Sequence, residues 1–176
     1  MENDVNHSNV ILRIADESEL EKFKTDLQEA FKTSAEKEFG HTLDKPIPSN
    51  LDIDESFNFS GAIVYQVILN DKIVGGAVIS IDKETQHNKL LLFFIINSCH
   101  SQGIGYKAWK AIEEKHHETK VWETVTPYFE KRNIHFYVNK CKFKIVDFFN
   151  KHHPDQNCKS NDDFDDEMFK FEKIMQ

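Results

Sequence analysis

Residues 93–117 read FFIINSCHSQGIGYKAWKAIEEKHH, and the periodicity of the chain changes within this stretch. Its first part continues an apolar run, residues 89–96, whose length and following Gly-containing break favour a buried central strand. From Ile104 apolar residues recur at helical spacing with charged residues on the other side, which predicts an amphipathic helix. Gly103 and Gly105, two of the 6 glycines in the chain, lie at this strand-to-helix turn.

A helix N-terminus that follows such a turn favours anions. It leaves backbone N–H groups unpaired and carries about half a positive charge, and the glycines let the backbone approach a phosphate closely. A Walker loop would need Lys and Ser or Thr after its last glycine, whereas Tyr106 and Lys107 follow Gly105. A dinucleotide fingerprint would need a third glycine where Ala108 stands. A plain turn that uses glycine for its geometry stays open as an alternative.

The elements around this turn predict a single domain over residues 1–176. Residues 10–16 form a strand, followed by a capping box and a helix over residues 18–39. Residues 62–69 and 72–81 form a hairpin with a tight turn at its centre. The sequence is also compatible with a second helix between this helix and the hairpin. A strand over residues 120–127, a short helix and two last strands, KIVDFFN and EMFKFEKIM, complete the order.

Composition narrows the classes of partner. The chain has 176 residues and a formal net charge of −8, so the long-range interaction with nucleic acid or an anionic membrane is repulsive. No apolar run reaches membrane-spanning length, and the first residues are acidic and polar, unlike a signal peptide. Three cysteines at wide spacing are typical of reduced thiols. We expect a cytoplasmic protein that binds neither nucleic acid nor membranes.

The sequence HSQGIG after a buried strand, followed by a helix, a strand and RNIHFYVNKCKF, resembles the GNAT superfamily of acyl-coenzyme A-dependent N-acetyltransferases. The family carries Q/R-x-x-G-x-G/A in this turn, an Asn that opens the next helix, and an aromatic pair ending in Tyr before a Gly-Phe step. In this chain these places are taken by His100, Gly103 and Gly105, by Asn133, by Phe136 and Tyr137, and by Lys142 and Phe143. His100 thus replaces Gln or Arg, and Lys142 replaces a glycine suited to a left-handed helix cap.

The resemblance implies an α/β fold of the α+β type, with a mixed, strongly twisted central sheet of six to seven strands and helices on both faces. It also implies acetyl transfer from acetyl-CoA to a primary amine by direct attack. The coenzyme pyrophosphate would lie on the amides of residues 102–106, and the pantetheine arm would pair with a splayed strand edge near residues 94–96. The implied cofactor-binding residues are Phe94, Ile95, Ile96, His100, Ser101, Gln102, Gly103, Ile104, Gly105, Tyr106, Asn133, Phe136 and Lys140.

Two residues are candidates for the proton transfers. Tyr137 stands at the family's usual general-acid position, where its phenol would protonate the departing sulfur; the alternative is a tyrosine packed in the apolar stripe of its helix. Glu123 is the candidate base, although an exposed strand carboxylate is more often only solvated. A local basic cluster either attracts the coenzyme's phosphates or forms a solvated face; it consists of Lys131, Arg132, Lys140, Lys142 and Lys144.

The acceptor is open to several interpretations. A protein amine or a small-molecule amine is compatible with the sequence, and the carboxylates of residues 52–56, DIDES, favour a cationic small molecule. The alternative functions are a non-catalytic acyl-CoA-binding or sensing domain and a turn that serves another nucleotide. We expect no metal, because the histidine pairs and NDDFDDE lack zinc or calcium spacing. Residues 167–175, taken as an exposed edge strand, predict a homodimer.

Overall fold

A computed structural model describes residues 9–100, 103–155 and 167–176. Its strands are β1 (Ile11–Ile14), β2 (Ala62–Leu69), β3 (Lys72–Ser80), β4 (His87–Ile95), β5 (Val121–Pro127), β6 (Lys144–Phe149) and β7 (Met168–Ile174). Its α-helices are α1 (Leu20–Phe39), α2 (Asn50–Phe57), α3 (Ile104–Lys115) and α4 (Lys131–His135). Short 3₁₀ turns, Glu17–Glu19 and Asn97–Cys99, precede α1 and α3, and a wide turn, Phe136–Lys140, continues α4.

Within the described residues the strands form one mixed sheet in the order β1-β2-β3-β4-β5-β7-β6. Every neighbouring pair is antiparallel except β4 and β5, which are parallel. Successive strand residues point to opposite faces, so Val78 of β3 packs with α1 and α2 while Ile79 packs with α3. The predicted α/β fold, a mixed sheet with helices on both faces, is confirmed.

The two parallel strands are paired along only part of their length. His87–Leu90 of β4 pairs with Val121–Thr124 of β5, and beyond these residues β4 pairs only with β3 while β5 pairs only with β7. The Ile96 N–H donates to the Val74 carbonyl at 2.9 Å. Because backbone groups of successive strand residues alternate in direction, those of Ile95 face the gap between β4 and β5.

The local signals of the sequence are reproduced closely. The hairpin turn has Asn70 and Asp71 at φ values of 50° and 61°, the left-handed pair that a two-residue hairpin loop requires. The backbone N–H of Asp16 donates to the Glu19 carboxylate at 2.9 Å in the predicted capping box. The optional second helix exists as α2, and Ser49 caps it by accepting from the Asp52 N–H.

Two predictions about element boundaries and neighbours are wrong. Asn133 does not cap the short helix, because α4 starts at Lys131 after Glu130, and Asn133 lies inside the helix. Residues 167–175 do not form an edge strand, because β7 pairs with β5 on one side and β6 on the other. Among the described strands the sheet edges are β1 and β6, so the homodimer stays a prediction without this edge as its support.

Candidate functional site

A cavity of about 750 Å³ lies where β4 and β5 separate. Its walls come from α1, the end of β4, the turn before α3, the first turn of α3, and α4 with the wide turn after it. The volume falls in the range of pockets that bind small molecules and cofactors. Its described lining includes Phe31, Ser34, Phe94, Ile95, His100, Gly103, Glu130, Arg132, Lys140 and Lys142.

The structure brings most of the predicted cofactor-binding residues into this cavity. Those in its lining are Phe94, Ile95, His100, Gly103, Ile104, Gly105, Tyr106, Asn133, Phe136 and Lys140. Ile96 is described but is not part of the lining; its side chain packs against the apolar cluster under α1 and α2. Ser101 and Gln102 lie outside the described residues.

The two glycines of the turn serve different purposes. Gly103 precedes α3 with φ +72°, and a Cβ added to it would meet nothing within 4 Å. It is therefore needed for its left-handed backbone conformation. Gly105 is helical, and an added Cβ would lie 3.5 Å from the Phe136 ring, an ordinary packing distance. The first-turn N–H groups of α3 lack acceptors within the helix, which favours an anion at this end of the cavity.

His100 links the turn to the free edge of β4. Its Nε2 lies 2.6 Å from the Ile95 carbonyl oxygen, and its Nδ1 lies 2.8 Å from an Arg132 guanidinium nitrogen. Arginine can only donate, so Nδ1 accepts and Nε2–H donates to Ile95. Burial lowers the pKa of His100, and the charge of Arg132 lowers it further. The imidazole is therefore neutral, and its Nε2–H is hydrogen-bonded to the Ile95 carbonyl, which faces the gap.

Tyr137 is packed in the core. Its ring contacts those of Phe143 and Phe171, its side chain is 5% exposed, and it is not among the described residues that line the cavity. Burial strongly raises the pKa of its phenol, and the hydroxyl interacts with the Thr124 side chain. The Thr124 hydroxyl donates to the Leu90 carbonyl at 2.9 Å. Thr124 and Leu90 are the last paired residues before β4 and β5 separate, so the phenol lies close to the start of the gap.

Glu123 is not brought to the cavity. Its carboxylate lies 2.9 Å from the ammonium group of Lys170 and 3.6 Å from that of Lys89. These ion pairs hold the side chain at the surface of the sheet, and the described lining residues do not include it. The structure therefore gives no support to Glu123 as a base.

Glu130 is a cavity residue that the sequence analysis missed. It is 3% exposed, and one carboxylate oxygen accepts from the Ser34 hydroxyl of α1 at 2.8 Å. The other oxygen is buried without a hydrogen-bond partner among the described residues. Burial raises the pKa of this carboxyl group. The sequence signal for Glu130 is an acid next to the start of a helix, where the predicted cap is Asn133.

The basic cluster predicted around α4 divides into two groups. Arg132, Lys140 and Lys142 line the cavity. Lys131 instead lies 3.0 Å from the centroid of the Tyr128 ring, and Lys144 belongs to β6 outside the described lining. Lys142 has φ +67° and adopts the left-handed conformation for which the family uses glycine.

The acidic segment 52–56 has a structural use. Asp52 accepts from the Ser49 N–H at 3.0 Å, and Asp54 lies 2.6 Å from the Lys24 ammonium group. Neither carboxylate is in the described lining of the cavity. These groups therefore do not support a cationic acceptor.

Within the described parts of the chain, the helices are too short or too polar to cross a membrane. Across residues 9–100, 103–155 and 167–176, no group of three or more His, Cys, Asp or Glu side chains is arranged to hold a metal ion.

The sheet order, the gap between β4 and β5 and the glycine turn before α3 define a protein of the GNAT fold. The model of the Acetyltransferase (GNAT) family matches residues 20–143, and the chain belongs to this family. It is 52% identical to protein YrkN of Bacillus subtilis (strain 168) over 177 residues, which covers 97% of this chain and 96% of that protein.

Two solved structures have the same fold. A Bacillus subtilis acetyltransferase in complex with CoA is 17% identical, with a TM-score of 0.67 over 96% of this chain and 100% of that chain. The ribosomal-protein-S18-alanine N-acetyltransferase of Escherichia coli is 10% identical, with a TM-score of 0.68 over 95% of this chain and 94% of that chain.

Proposed function

We propose that this protein is an N-acetyltransferase that moves acetyl from acetyl-CoA to a primary amine by direct attack in a ternary complex. The observation that carries the proposal is one cavity that joins the glycine turn to the gap between β4 and β5. A thioester in the gap is accessible to an amine that enters beside α1. The CoA in the Bacillus subtilis structure and the alanine acceptor in the name of the Escherichia coli enzyme support the same reaction class.

The two ends of the coenzyme match two features of the cavity. Its pyrophosphate suits the first-turn N–H groups of α3, with Arg132, Lys140 and Lys142 supplying positive charge nearby. Its pantetheine amides can form hydrogen bonds with the free backbone groups of Ile95, in the way that an added β-strand pairs with a free strand edge. Without the coenzyme, the His100 imidazole donates a hydrogen bond to the Ile95 carbonyl. The pantetheine arm replaces the imidazole at this carbonyl when the coenzyme binds.

The reaction needs a partner for the oxyanion and a proton for the leaving thiolate. Attack forms the C–N bond on the thioester carbonyl carbon and breaks the C–S bond. A backbone N–H at the free edge near Ile95 would stabilise the oxyanion. Tyr137 is the proposed general acid, because its hydroxyl lies beside Thr124 at the start of the gap and, like any tyrosine hydroxyl, carries a proton at neutral pH.

Titration calorimetry with acetyl-CoA, ATP and NAD tests the coenzyme, and thiol release with a panel of amines tests the transfer. We expect binding of acetyl-CoA alone and acetylation of at least one amine. Binding of ATP without acetyl-CoA would refute the proposal. Binding of acetyl-CoA with no amine acetylated would favour the non-catalytic acyl-CoA-binding or sensing domain instead.

The remaining partner assignments stay predictions. The acceptor is a small-molecule amine or a protein amine, and the protein acts in the cytoplasm without nucleic acid, membrane or metal. Size-exclusion chromatography with light scattering tests the homodimer.

A further inference from the structure

Glu130 is a buried acid whose hydrogen bonding is incomplete. The Ser34 hydroxyl pairs with one of its oxygens at 2.8 Å, while the other has no hydrogen-bond partner among the described residues. Native proteins pair nearly all buried polar atoms, so an unpaired oxygen in a cavity wall can accept a hydrogen bond from a group that enters the cavity. An ammonium group is a donor of the right charge.

No charged side chain of the described residues forms a hydrogen bond with the second oxygen of Glu130. Arg132 acts on it through space, yet the guanidinium of Arg132 donates to His100. Glu38 of α1 also acts on it and adds negative potential. Ser34 is neutral and serves one oxygen only.

The described lining of the cavity contains one acidic side chain and several basic ones. Among its described lining residues Glu130 is the one carboxyl group, and apolar Ala30 and Phe31 of α1, the helix of its partner Ser34, also line the cavity. The basic residues Arg132, Lys140 and Lys142 line the same cavity. A second ammonium group on an acceptor would therefore find no second carboxylate in the described lining, only apolar or basic side chains, so a diamine is disfavoured.

We propose that Glu130 binds the ammonium group of the acceptor and takes its proton, and that the acceptor is a monoamine with an apolar flank. This assignment rests on the proposed function. It makes Glu130 a catalytic residue and Ser34 the positioning residue that holds one of its oxygens.

The proton and bond changes balance as follows. The acceptor R–NH₃⁺ gives one proton to Glu130, and the nitrogen lone pair of R–NH₂ then attacks the thioester carbon. The C–N bond forms, the C–S bond breaks, and the second proton lost by nitrogen balances the one gained by the thiolate. The products are the acetamide of R, CoA–SH and one proton, which Glu130 returns to water.

The test is a pair of amines of nearly the same shape and different basicity. Phenethylamine is an ammonium ion at neutral pH, whereas β,β-difluorophenethylamine is largely neutral and has little need of a base. We expect Glu130→Gln to lower kcat/KM by about 100-fold for phenethylamine, the scale of general base catalysis, and by less than about 10-fold for the fluorinated amine. The variant should also lose the rising limb of the pH profile and bind acetyl-CoA as the wild type does.

Glu29→Gln is the matched control, because it removes one carboxylate of α1 that is exposed and outside the described cavity lining. We expect its kcat/KM to stay within about 2-fold of the wild type. An equal loss for both amines in Glu130→Gln, or no loss, would overturn the role of Glu130. Spermidine acetylated at a higher kcat/KM than phenethylamine would overturn the monoamine class, as would acetyl-CoA binding with neither amine acetylated. Failure to bind acetyl-CoA would instead contradict the proposed function itself.

Discussion

Replacing Glu130 by methionine should stabilise the protein. The side chain is 3% exposed and has one unpaired oxygen. A buried polar atom without a partner costs about 1–3 kcal/mol. Methionine has a similar volume and no such atom, while half-buried Ser34 keeps access to other partners. We expect the free energy of unfolding to rise by about 1–2 kcal/mol at neutral pH, which corresponds to a Tm increase of roughly 2–8 °C for a chain of this size.

The pH dependence identifies the cause of this gain. Burial raises the pKa of Glu130 in the folded chain above its ordinary value of 4.5. Between these two values the folded chain holds more protons than the unfolded chain, so wild-type stability falls as pH rises through this window. Methionine removes that loss. The gain in unfolding free energy of Glu130→Met should therefore be small at a pH near 4.5, the ordinary pKa, and complete at a pH above the raised pKa of the folded chain.

Urea unfolding, followed by circular dichroism at several pH values, measures both effects. Glu29→Met provides a control for the loss of one acid from α1, because Glu29 is exposed. A Glu130→Met variant that is less stable than the wild type above neutral pH would refute the reasoning, as would a gain that does not change with pH. Acetyl transfer to alkylamines should be lost in the stabilised protein, because the carboxylate that destabilises the fold is also the proposed base.

Three further predictions concern Tyr137 in the core beside the gap and two residues of the cavity lining. Tyr137→Phe should lower kcat by about 100-fold while acetyl-CoA binds unchanged; unchanged transfer to every accepted amine would exclude Tyr137 as the acid. Gly103→Val should weaken acetyl-CoA binding in calorimetry, because a left-handed residue with a branched side chain costs about 1–2 kcal/mol, whereas Gly103→Asn tolerates that conformation and should bind more tightly than Gly103→Val. His100 should make stability fall as pH drops below its ordinary pKa of 6.5, because burial lowers its pKa in the folded state and the unfolded chain then binds the proton first. His100→Asn should remove that part of the pH dependence in urea unfolding, and a variant with the wild-type slope would contradict it.

Elements set by neighbouring residues were predictable from the sequence. The hairpin turn needs two residues that tolerate positive φ, and Asn70 and Asp71 supply them. The helix after Gly103 follows from its apolar period, and the glycine itself is used for its left-handed φ of 72°. Each of these signals lies within a few residues of the element that it forms, so the element can be predicted without knowledge of distant contacts.

Elements set by distant contacts were not predictable. The last strand was expected at an edge, but β7 inserts between β5 and β6, because strand order depends on which distant edges pair. Glu123 and Glu130 are both acids on or just after β5, and local sequence does not separate them. The first forms ion pairs with Lys170 and Lys89, and the second is buried against α1.

The sequence by itself determined the order of the elements, the glycine turn at the start of α3 and, through resemblance, the acetyltransferase family. Only the tertiary structure decided which acid lines the cavity. Glu130 and Ser34 are 96 residues apart in the chain, and the burial that raises the pKa of Glu130 exists only once α1 packs beside the end of β5. Hydrophobic period and turn chemistry are local properties, whereas burial and hydrogen-bond satisfaction belong to the assembled fold.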